Sequence, residues 1–331
     1  MAAPPNPVLC SASPCRVAAR FAPPALRTSA AARTLVLSGS CRGAQGSSGL
    51  RRLVARSPVP FAAKRGGGRG EVAAEDGDGT GSLLQAALWG AEAAYILWLF
   101  LLPYAPGDPV WAISQATISD LIGLSVNFFF IFPLLNSAGV HLMESPVLHP
   151  MAEGLFNFVI AWTMMFAPLL FTDSRRGRYK GSLDVLWGFQ MFLTNTFLIP
   201  YMAIRLNDPD TDQSPPPRSQ LGSAMVKGAQ VMGAVGGAVC ILSIVWALFG
   251  RADAGFGDIA ERWQYAQSYV FSERLAYAFL WDILLYSIFQ PWLIGDNIQN
   301  AKVDAAEFVS VVKFVPVVGL VAYLFCLEKE D

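Results

Sequence analysis

The two histidines of the chain, His141 and His149, lie in one short stretch together with Glu144 and Glu153. His141 and Glu144 are three residues apart, and His149 and Glu153 are four apart across a proline that is typical of a helix start. Imidazoles and carboxylates are ligands for iron, manganese or zinc, so the stretch is a candidate site for a metal-dependent enzyme. The alternative is structural, because His149 precedes a helix and the helix dipole favours Glu153 in its first turn.

Four acidic residues in or beside long apolar runs form a second group of candidates. They are Glu92, Asp120, Asp184 and Asp282. Asp120 and Asp184 follow closely after serines and fit the positive end of a helix dipole, which would be a structural role. Asp282 is about two turns into its run, and Glu92 is near the middle of another. An ionisable group at such a depth is costly, so it is a functional candidate, for example as the proton or cation site of a carrier.

The elements that must position these side chains are apolar runs of about 20 residues, the length that crosses a hydrocarbon core as a helix. Tyrosine, tryptophan and proline near the ends of the runs suit the membrane interface. The sequence therefore predicts an all-α, polytopic membrane protein with about seven transmembrane helices. The predicted spans are Leu83–Leu102, Ile118–Leu135, Gly154–Phe171, Leu183–Ile204, Val226–Phe249, Arg274–Ile294 and Phe308–Leu327.

Basic residues predict the orientation of these spans. No lysine or arginine occurs between Arg69 and Arg175, whereas the links after the third and fifth spans are basic. Basic links stay on the side from which insertion starts. Both basic links are therefore predicted on one side of the membrane, and the link that carries His141 and His149 on the other.

Residues 1–70 contain eleven basic residues and no acidic one. Such an Arg- and Ser-rich leader is typical of an organelle transit peptide, and its proline and glycine content favours a plastid; the alternative is a basic tail that stays attached. We predict cleavage between about Arg56 and Glu75 and a chloroplast membrane location, thylakoid or inner envelope. Thirteen bases then remain against 25 acids, which argues against nucleic acid as a partner. Cys240 and Cys326 also remain, without the spacing of a disulfide framework or a zinc site.

The predicted domains follow from these boundaries: a transit peptide at 1–70, a short acidic lead-in at 71–82, a first bundle of four spans at 83–205, a Pro/Asp-rich linker at 206–225 and a second bundle of three spans at 226–331. The linker residues Asp208, Asp210 and Asp212 resemble a calcium loop, but the glycine and the distal glutamate of such a loop are missing. A solvated linker is therefore favoured.

Two further patterns concern the packing of the spans. Ala229, Gly233 and Gly237 recur every four residues, which predicts a helix face of small residues against which another helix packs closely. The strings DLIG, DVLWG and DILLY around Asp120, Asp184 and Asp282 look alike. They are a weak sign of a repeated two-helix unit, as in carriers built from parallel repeats.

The C-terminal segment WDILLYSIFQPWLIGDNIQ from Trp281, followed by KFVPVVGLVAYLF from Lys313, resembles the final hairpin of the abscisic-acid-deficient-four family. These are small plastid membrane proteins required for neoxanthin formation. The matching positions are Asp282, Asp296, Pro316 and Gly319. The resemblance implies a plastid membrane and a carotenoid or other isoprenoid context.

The leading functional prediction is a plastid membrane protein that binds an apolar ligand (carotenoid, pigment or lipid) or assists the assembly of a membrane complex. It depends on apolar, aromatic and Met-rich positions: Trp162, Met164, Met165, Phe166, Met191 and Phe192. The alternative for these six residues is an ordinary lipid-facing or core surface. The alternatives are a proton- or cation-coupled carrier and a metal-dependent membrane enzyme. The cofactor is unknown, and the expected partners are membrane lipid, a pigment or isoprenoid, and other plastid membrane proteins. On the leading prediction, Glu92→Gln and Asp282→Asn are tolerated, whereas truncation of Trp162 or Phe192 loses the ligand.

Overall fold

The protein is described by a computed structural model over residues 76–207 and 217–328. The predicted transit peptide, the start of the acidic lead-in and the linker residues Asp208, Asp210 and Asp212 lie outside these ranges. Within them the regular elements are α-helices joined by short turns: α1 (Asp76–Ile96, continued by a π-helical turn, Leu97–Leu101), α2 (Gln115–Val126), α3 (Ile131–Ser137), α4 (Pro150–Thr172), α5 (Leu183–Leu193), α6 (Asn195–Ile204), α7 (Gln220–Lys227), α8 (Ala229–Phe249), α9 (Ile259–Ser272), α10 (Arg274–Asp296), α11 (Ala306–Val312) and α12 (Val318–Cys326). The all-helical prediction is confirmed for this part of the chain.

The helix α4 is at the centre of the fold. In its most apolar stretch 83% of the residues are buried, because α5, α7, α8, α9 and α10 pack around it. Its start is well defined: Pro150 occupies the first position, and Nδ1 of His149 accepts a hydrogen bond from the backbone of Met151 at 3.2 Å. Glycines allow α8 to approach α4, since an added Cβ at Gly154 or Gly236 would lie within 2.6 Å of an atom of the other helix.

Four helical segments in the described ranges are long and apolar enough to cross a membrane: Thr80–Leu101, Pro150–Thr172, Ala229–Ala254 and Arg274–Asp296. The helices α4 and α10 run in the same direction, because Phe156 packs on Phe279 and the hydroxyls of Thr163 and Tyr286 are 2.7 Å apart. We call the end of the bundle where α4 and α10 begin the Glu153 end, and the end where they finish the Asp173 end.

The other two crossing helices run the opposite way. Arg251, which follows α8, pairs with Glu153 at 2.8 Å, so α8 finishes at the Glu153 end. The backbone carbonyl of Leu102, just after the π-helical turn that continues α1, accepts a hydrogen bond from Arg274 at the start of α10. The helix α1 therefore finishes at the Glu153 end as well.

The helices α5 and α6 form a hairpin and do not cross together. The link from α4 to α5 lies at the Asp173 end, and Arg205, which follows α6, returns to Asp173 with an N–O distance of 2.8 Å. Between the two helices the chain turns at Thr194, whose φ is +42°. The predicted span Leu183–Ile204 therefore enters and leaves the bundle at the same end.

The helices α11 and α12 form a second hairpin at the same end. Asn300, before α11, donates to the backbone carbonyl of Thr172 at 2.9 Å, and the backbone of Lys302 donates to that of Cys326 at 2.8 Å. Its turn, at 313–317, is held by Gln290, which donates to the carbonyls of Lys313 and Val315 and accepts from the amide of Val317. The predicted span Phe308–Leu327 is thus also a hairpin.

The helices α2 and α3 meet with a bend of 40° and together correspond to the predicted span Ile118–Leu135. Their contacts lie at the Glu153 end: an added Cβ at Gly123 would touch Leu148, Asn127 donates to Glu153 at 2.5 Å, and Asn136 accepts from the amide of Ser145 at 2.9 Å. The described part of the chain thus has four candidate crossing helices, or five if this bent pair is counted. The predicted count of seven is not supported, because hydropathy measures apolar length and does not distinguish a crossing from a hairpin.

The hairpin also changes the predicted orientation of the basic links. Because α5 and α6 return to the Asp173 end, the link 175–180 lies at that end and Arg251 lies at the opposite end. The prediction that both basic links share one side was wrong. The link that carries His141 and His149 does lie at the end opposite 175–180.

The same order of elements occurs twice in the described ranges. In each half a crossing helix (α1 or α8) leads to shorter helices at the Glu153 end (α2 and α3, or α9), then to a crossing helix (α4 or α10) and a hairpin at the Asp173 end. The first helix of each half packs on the last: α1 on α6, and α8 on α12. The sequences FAPLLFTD, ending at Asp173, and FQPWLIGD, ending at Asp296, share Phe, Pro, Leu and Asp at equal positions. This repeat differs from the predicted one, because Asp120, Asp184 and Asp282 occupy three different kinds of element.

Candidate functional site

The side chain of Asp282 is buried in the middle of α10 and binds the turn of the first hairpin. Its Oδ1 accepts hydrogen bonds from Oγ1 of Thr194 and Nδ2 of Asn195, both at 2.7 Å, and from the hydroxyl of Tyr95 on α1 at 3.2 Å. Asp282 is only 1% exposed. One carboxylate therefore joins α1, the hairpin turn and α10, three elements that are far apart in the sequence.

The hairpin turn leaves two helix ends inside the bundle. The end of α5 presents backbone carbonyls and the start of α6 presents amides without intrahelical partners. Thr194, between them, has φ +42° and ψ −110°, a conformation that is rare for a β-branched residue and costs on the order of 1–3 kcal/mol. The two hydrogen bonds from the turn to Asp282 hold it in place. Helix breaks inside a membrane bundle are typical of substrate and ion sites in carriers.

A cavity of about 200 Å³ ends at Asp282 and Thr194. Its wall follows one face of α10 from Glu273 and Arg274 to Asp282, a distance of about 12 Å at 1.5 Å per residue. The middle of the cavity is apolar, with Leu99, Phe100, Leu121, Phe192 and Phe279 among its lining residues.

The part of the cavity nearest the Glu153 end of the bundle carries charged residues. Asp108 and Glu273 line it, together with Thr117, whose hydroxyl lies 3.3 Å from Glu273. Arg274 also lines it, but its guanidinium is held by backbone carbonyls of the loop after α1, those of Leu99, Leu102, Ala105, Pro106 and Gly107. The cavity therefore has carboxylates near both of its ends, an arrangement that attracts cations.

The structure separates the four residues predicted as metal ligands. His141 is exposed and bonded to Asn136, Glu144 is exposed, and His149 caps α4. Glu153 is fully buried and accepts hydrogen bonds from Arg251, Asn127 and Trp246. Within 76–207 and 217–328 no group of three His, Cys, Asp or Glu side chains is placed to hold a metal ion. The geometry thus favours the structural alternative for His149 and Glu153.

Asp120 and Asp184, two of the other predicted carboxylates, lie in short helices, and the predicted small-residue face lies on α8. Asp120 is exposed on α2, in its second turn and not at its start. Asp184 is in the first turn of α5 and accepts from Ser219 at 2.6 Å. Ala229 is buried, and Gly233 and Gly237 face Leu324 and Val321 of α12.

The aromatic and Met-rich positions predicted to bind a ligand fall into two groups. Trp162, Met165 and Phe166 are fully buried, and Trp162 donates to Gln290 at 3.0 Å. Met164 and Met191 are partly buried, whereas Phe192 is 83% exposed and lines the cavity above Asp282. Of the six, Phe192 alone is among the residues that line this cavity.

A second, larger cavity is a groove of about 660 Å³ between α4, α8, α9 and α10. Its lining includes Phe158, Ile244, Trp263, Tyr269 and Leu280, and it is almost entirely apolar. Such a groove suits an acyl or isoprenoid chain, not a charged solute.

The sequence analysis missed a buried ion cluster at the Asp173 end. Arg205 is fully buried and binds both oxygens of Asp173 and Oδ2 of Asp296, while Tyr201 donates to Asp173 at 2.6 Å. Burial alone would raise the pKa of Asp173, but the hydrogen bonds and charge of Arg205 outweigh it, so that this pKa lies below the usual 3.8. The available signal was the shared ending of FAPLLFTD and FQPWLIGD, which places Asp173 and Asp296 at equivalent positions.

Comparisons with protein-family models, with curated proteins and with solved structures found no match.

Proposed function

We propose that the protein is a multi-pass membrane carrier for a small cation, with Asp282 as its substrate-binding carboxylate. The observation that carries the proposal is the cavity lined from Glu273 to Asp282, which places the buried carboxylate of Asp282 at the turn of a helical hairpin. A buried carboxylate that holds a helix turn through hydrogen bonds can respond to an arriving cation by exchanging those bonds. This favours the carrier, the second of the three sequence-based predictions, over a metal-dependent enzyme.

The repeated order of elements supports the same proposal. Two halves with parallel topology, each ending in a hairpin, resemble the internal repeats on which alternating-access carriers are built. Substrate sites in such proteins lie near the middle of the membrane, where the repeats meet. Asp282 fits this rule, because it belongs to the second half and its partners Tyr95, Thr194 and Asn195 belong to the first.

The chloroplast location is part of this proposal and has its support in the acid-free leader at 1–70. The Asp173 end carries the basic link 175–180, so that end is proposed to face the stroma. A fluorescent fusion that stays in the cytosol, or a mature protein that retains residue 10, would contradict the plastid part alone.

The carrier proposal is tested with the purified protein in liposomes. We expect a transient current on a solid-supported membrane when one of Na⁺, K⁺, methylammonium or choline is applied. Asp282→Asn should lower it by about tenfold or more, because the amide keeps the size of the side chain and loses its charge. The matched control is Asp304→Asn, an exposed residue outside the helices, which should leave the current unchanged. No current with any of the four cations, or equal currents in both variants, would sink the proposal.

A second candidate function is the binding of an apolar ligand such as a carotenoid or lipid, and the apolar groove of about 660 Å³ favours it. Mass spectrometry of the protein purified in mild detergent should then detect one apolar compound in stoichiometric amount. Trp263→Ala should release that compound, whereas Asp282→Asn should retain it, since Asp282 is not among the lining residues of the groove.

A further inference from the structure

A stripe of α1 faces α6 and brings Glu92 to the hairpin turn. Gln85, Leu88, Glu92, Tyr95 and Leu99 recur at spacings of three and four, which places them on one helix face. Glu92 is 6% exposed, so it is buried in this interface and not turned to the bundle surface.

The register between α1 and α6 follows from two contacts. Gln85 donates to the carbonyl of Ala203 at 3.0 Å, and Tyr95 meets Thr194 at Oδ1 of Asp282. The two helices are thus antiparallel. The ten residue steps from Gln85 to Tyr95 lie alongside the nine steps from Ala203 back to Thr194. Three residues of α1 correspond to about three residues of the facing segment, so Glu92 is level with Thr196 and Phe197. Thr196 precedes Ala203 by two helical turns and therefore lies on the same face of α6.

Three buried oxygens at this level have no hydrogen-bond partner among the described residues. They are Oε2 of Glu92, Oδ1 of Asn195 and Oγ1 of Thr196. Buried polar atoms are almost always paired, so a cluster of unpaired ones indicates a missing partner. The nearby basic residues are engaged elsewhere: Arg205 with Asp173 and Asp296, and Arg274 with backbone carbonyls.

The chemistry of these oxygens identifies the class of the missing partner. A carboxylate, an amide carbonyl and a hydroxyl are the ligands that hard cations prefer. The end of α5 contributes a partial negative charge and the start of α6 a partial positive one, so the carboxylate of Glu92 supplies the net attraction for a cation. With one carboxylate, the site suits a single positive charge better than a divalent ion.

We propose that Glu92, Asn195 and Thr196 form a binding site for a dehydrated monovalent cation of the Na⁺ class. Asn195 belongs to this site through Oδ1 and to the Asp282 site through Nδ2, so the ion fixes the orientation of the amide that binds Asp282. This inference names the coupling ion of the proposed carrier and in that sense rests on the proposed function. The ion binding itself requires no transport.

The test is thermal unfolding of the purified full chain in detergent, at constant pH and ionic strength, with NaCl exchanged against CsCl or N-methyl-D-glucamine chloride, neither of which supplies one of the four candidate substrates. We expect Na⁺ to raise the Tm by about 3–5 °C in a saturable way. Thr196→Val keeps the shape of the side chain and should raise the Na⁺ concentration at half effect by about tenfold. Glu92→Gln should abolish the shift, whereas Glu307→Gln, at an exposed position in α11, should retain it.

Equal Tm values in all three salts would overturn the inference, and so would a Na⁺ shift that survives Glu92→Gln. A third contrary result is a Tm that Glu92→Gln changes only in its pH dependence, because Glu92 would then be a proton site. The outcomes also separate the two proposals. A flux that depends on Asp282 without a Na⁺ shift removes this inference alone. A Na⁺ shift without any flux removes the carrier alone.

Discussion

At the scale of single residues, His149 lies in surroundings that oppose its charge. Its ring stacks on Tyr265 with the ring centres 3.4 Å apart, and Nδ1 accepts the backbone hydrogen bond that starts α4. Burial, and then the charge of Arg262, lower the pKa of His149 from 6.5 to about 4. The folded protein therefore holds this imidazole neutral over a pH range in which an unfolded chain protonates it.

This difference predicts a loss of stability in mild acid. Above pH 6.5 both states are neutral at His149. As the pH falls from 6.5 to about 4, only the unfolded state takes up the proton, so the free energy of unfolding decreases.

His149→Asn keeps a side chain that caps a helix and removes the titration. Unfolding followed by circular dichroism at pH 7.5 and 5 should show a smaller difference for this variant than for the wild type. His141→Asn, at the exposed histidine, should not change it, and an unchanged pH dependence in His149→Asn would contradict the argument.

A second prediction at this scale concerns Arg205. Its replacement by Met leaves the carboxylate of Asp173 buried without its counter-charge, which should destabilise the protein by about 3–5 kcal/mol. Arg175→Met is the control, because Arg175 is 36% exposed and 3.8 Å from Asp296, and such pairs contribute about 1 kcal/mol or less. The measurement is the Tm in detergent at pH 7. Equal shifts in the two variants would show that the buried cluster is not a stabilising unit.

The sequence identified Asp282 and Glu92 because a carboxylate inside an apolar run is exceptional on its own. It did not identify their partners. Tyr95 and Asp282 are 187 residues apart, and Arg205 and Asp296 are 91 apart, so no local pattern connects them. Asn127, likewise, donates to Glu153 from a break between two helices that hydropathy joins into one span.

At the scale of elements, the hairpin of α5 and α6 predicts where its two ends are accessible. In a cysteine-free background, Ser174→Cys and Asn207→Cys should react with an impermeant thiol reagent from the same side of a sealed vesicle, since both positions are exposed at the Asp173 end. Glu144→Cys should react only from the other side. If the reagent modified Asn207→Cys and Glu144→Cys from the same side of the vesicle, Leu183–Ile204 would cross the membrane.

The sequence predicted the long crossing helices well and the hairpins poorly, for one physical reason. A helix that crosses and a hairpin that enters half-way present similar apolar lengths, and both must bury their backbone polar groups. Their difference lies in the turn, where Thr194 adopts φ +42° without glycine and Val317 adopts φ +64°. Neither residue carries a turn signal, because tertiary hydrogen bonds, and not local preference, hold these conformations.

At the scale of the whole molecule, the two halves predict that the chain tolerates a cut between them. Co-expressed segments 1–212 and 213–331 should assemble and purify together through a tag on one of them, because α4 packs along α8 and Asp282 binds the first hairpin. A cut after Gly236, inside α8, is the control and should prevent assembly, since it divides a helix that packs on α4. Recovery of only the tagged segment from the cut at 212 would contradict this.

The buried cluster of Arg205 has a consequence for biosynthesis. The first hairpin is synthesised well before Asp282 and Asp296, the two carboxylates that later bind its turn and its end. Until α10 enters the membrane behind them, Thr194 and Asn195 have no carboxylate to bind and must be held by water, by the insertion machinery or by another protein. Folding of the N-terminal half is therefore completed only when α10 arrives, and a chain stalled before Asp282 would present an unfinished hairpin to the quality-control proteases of its membrane.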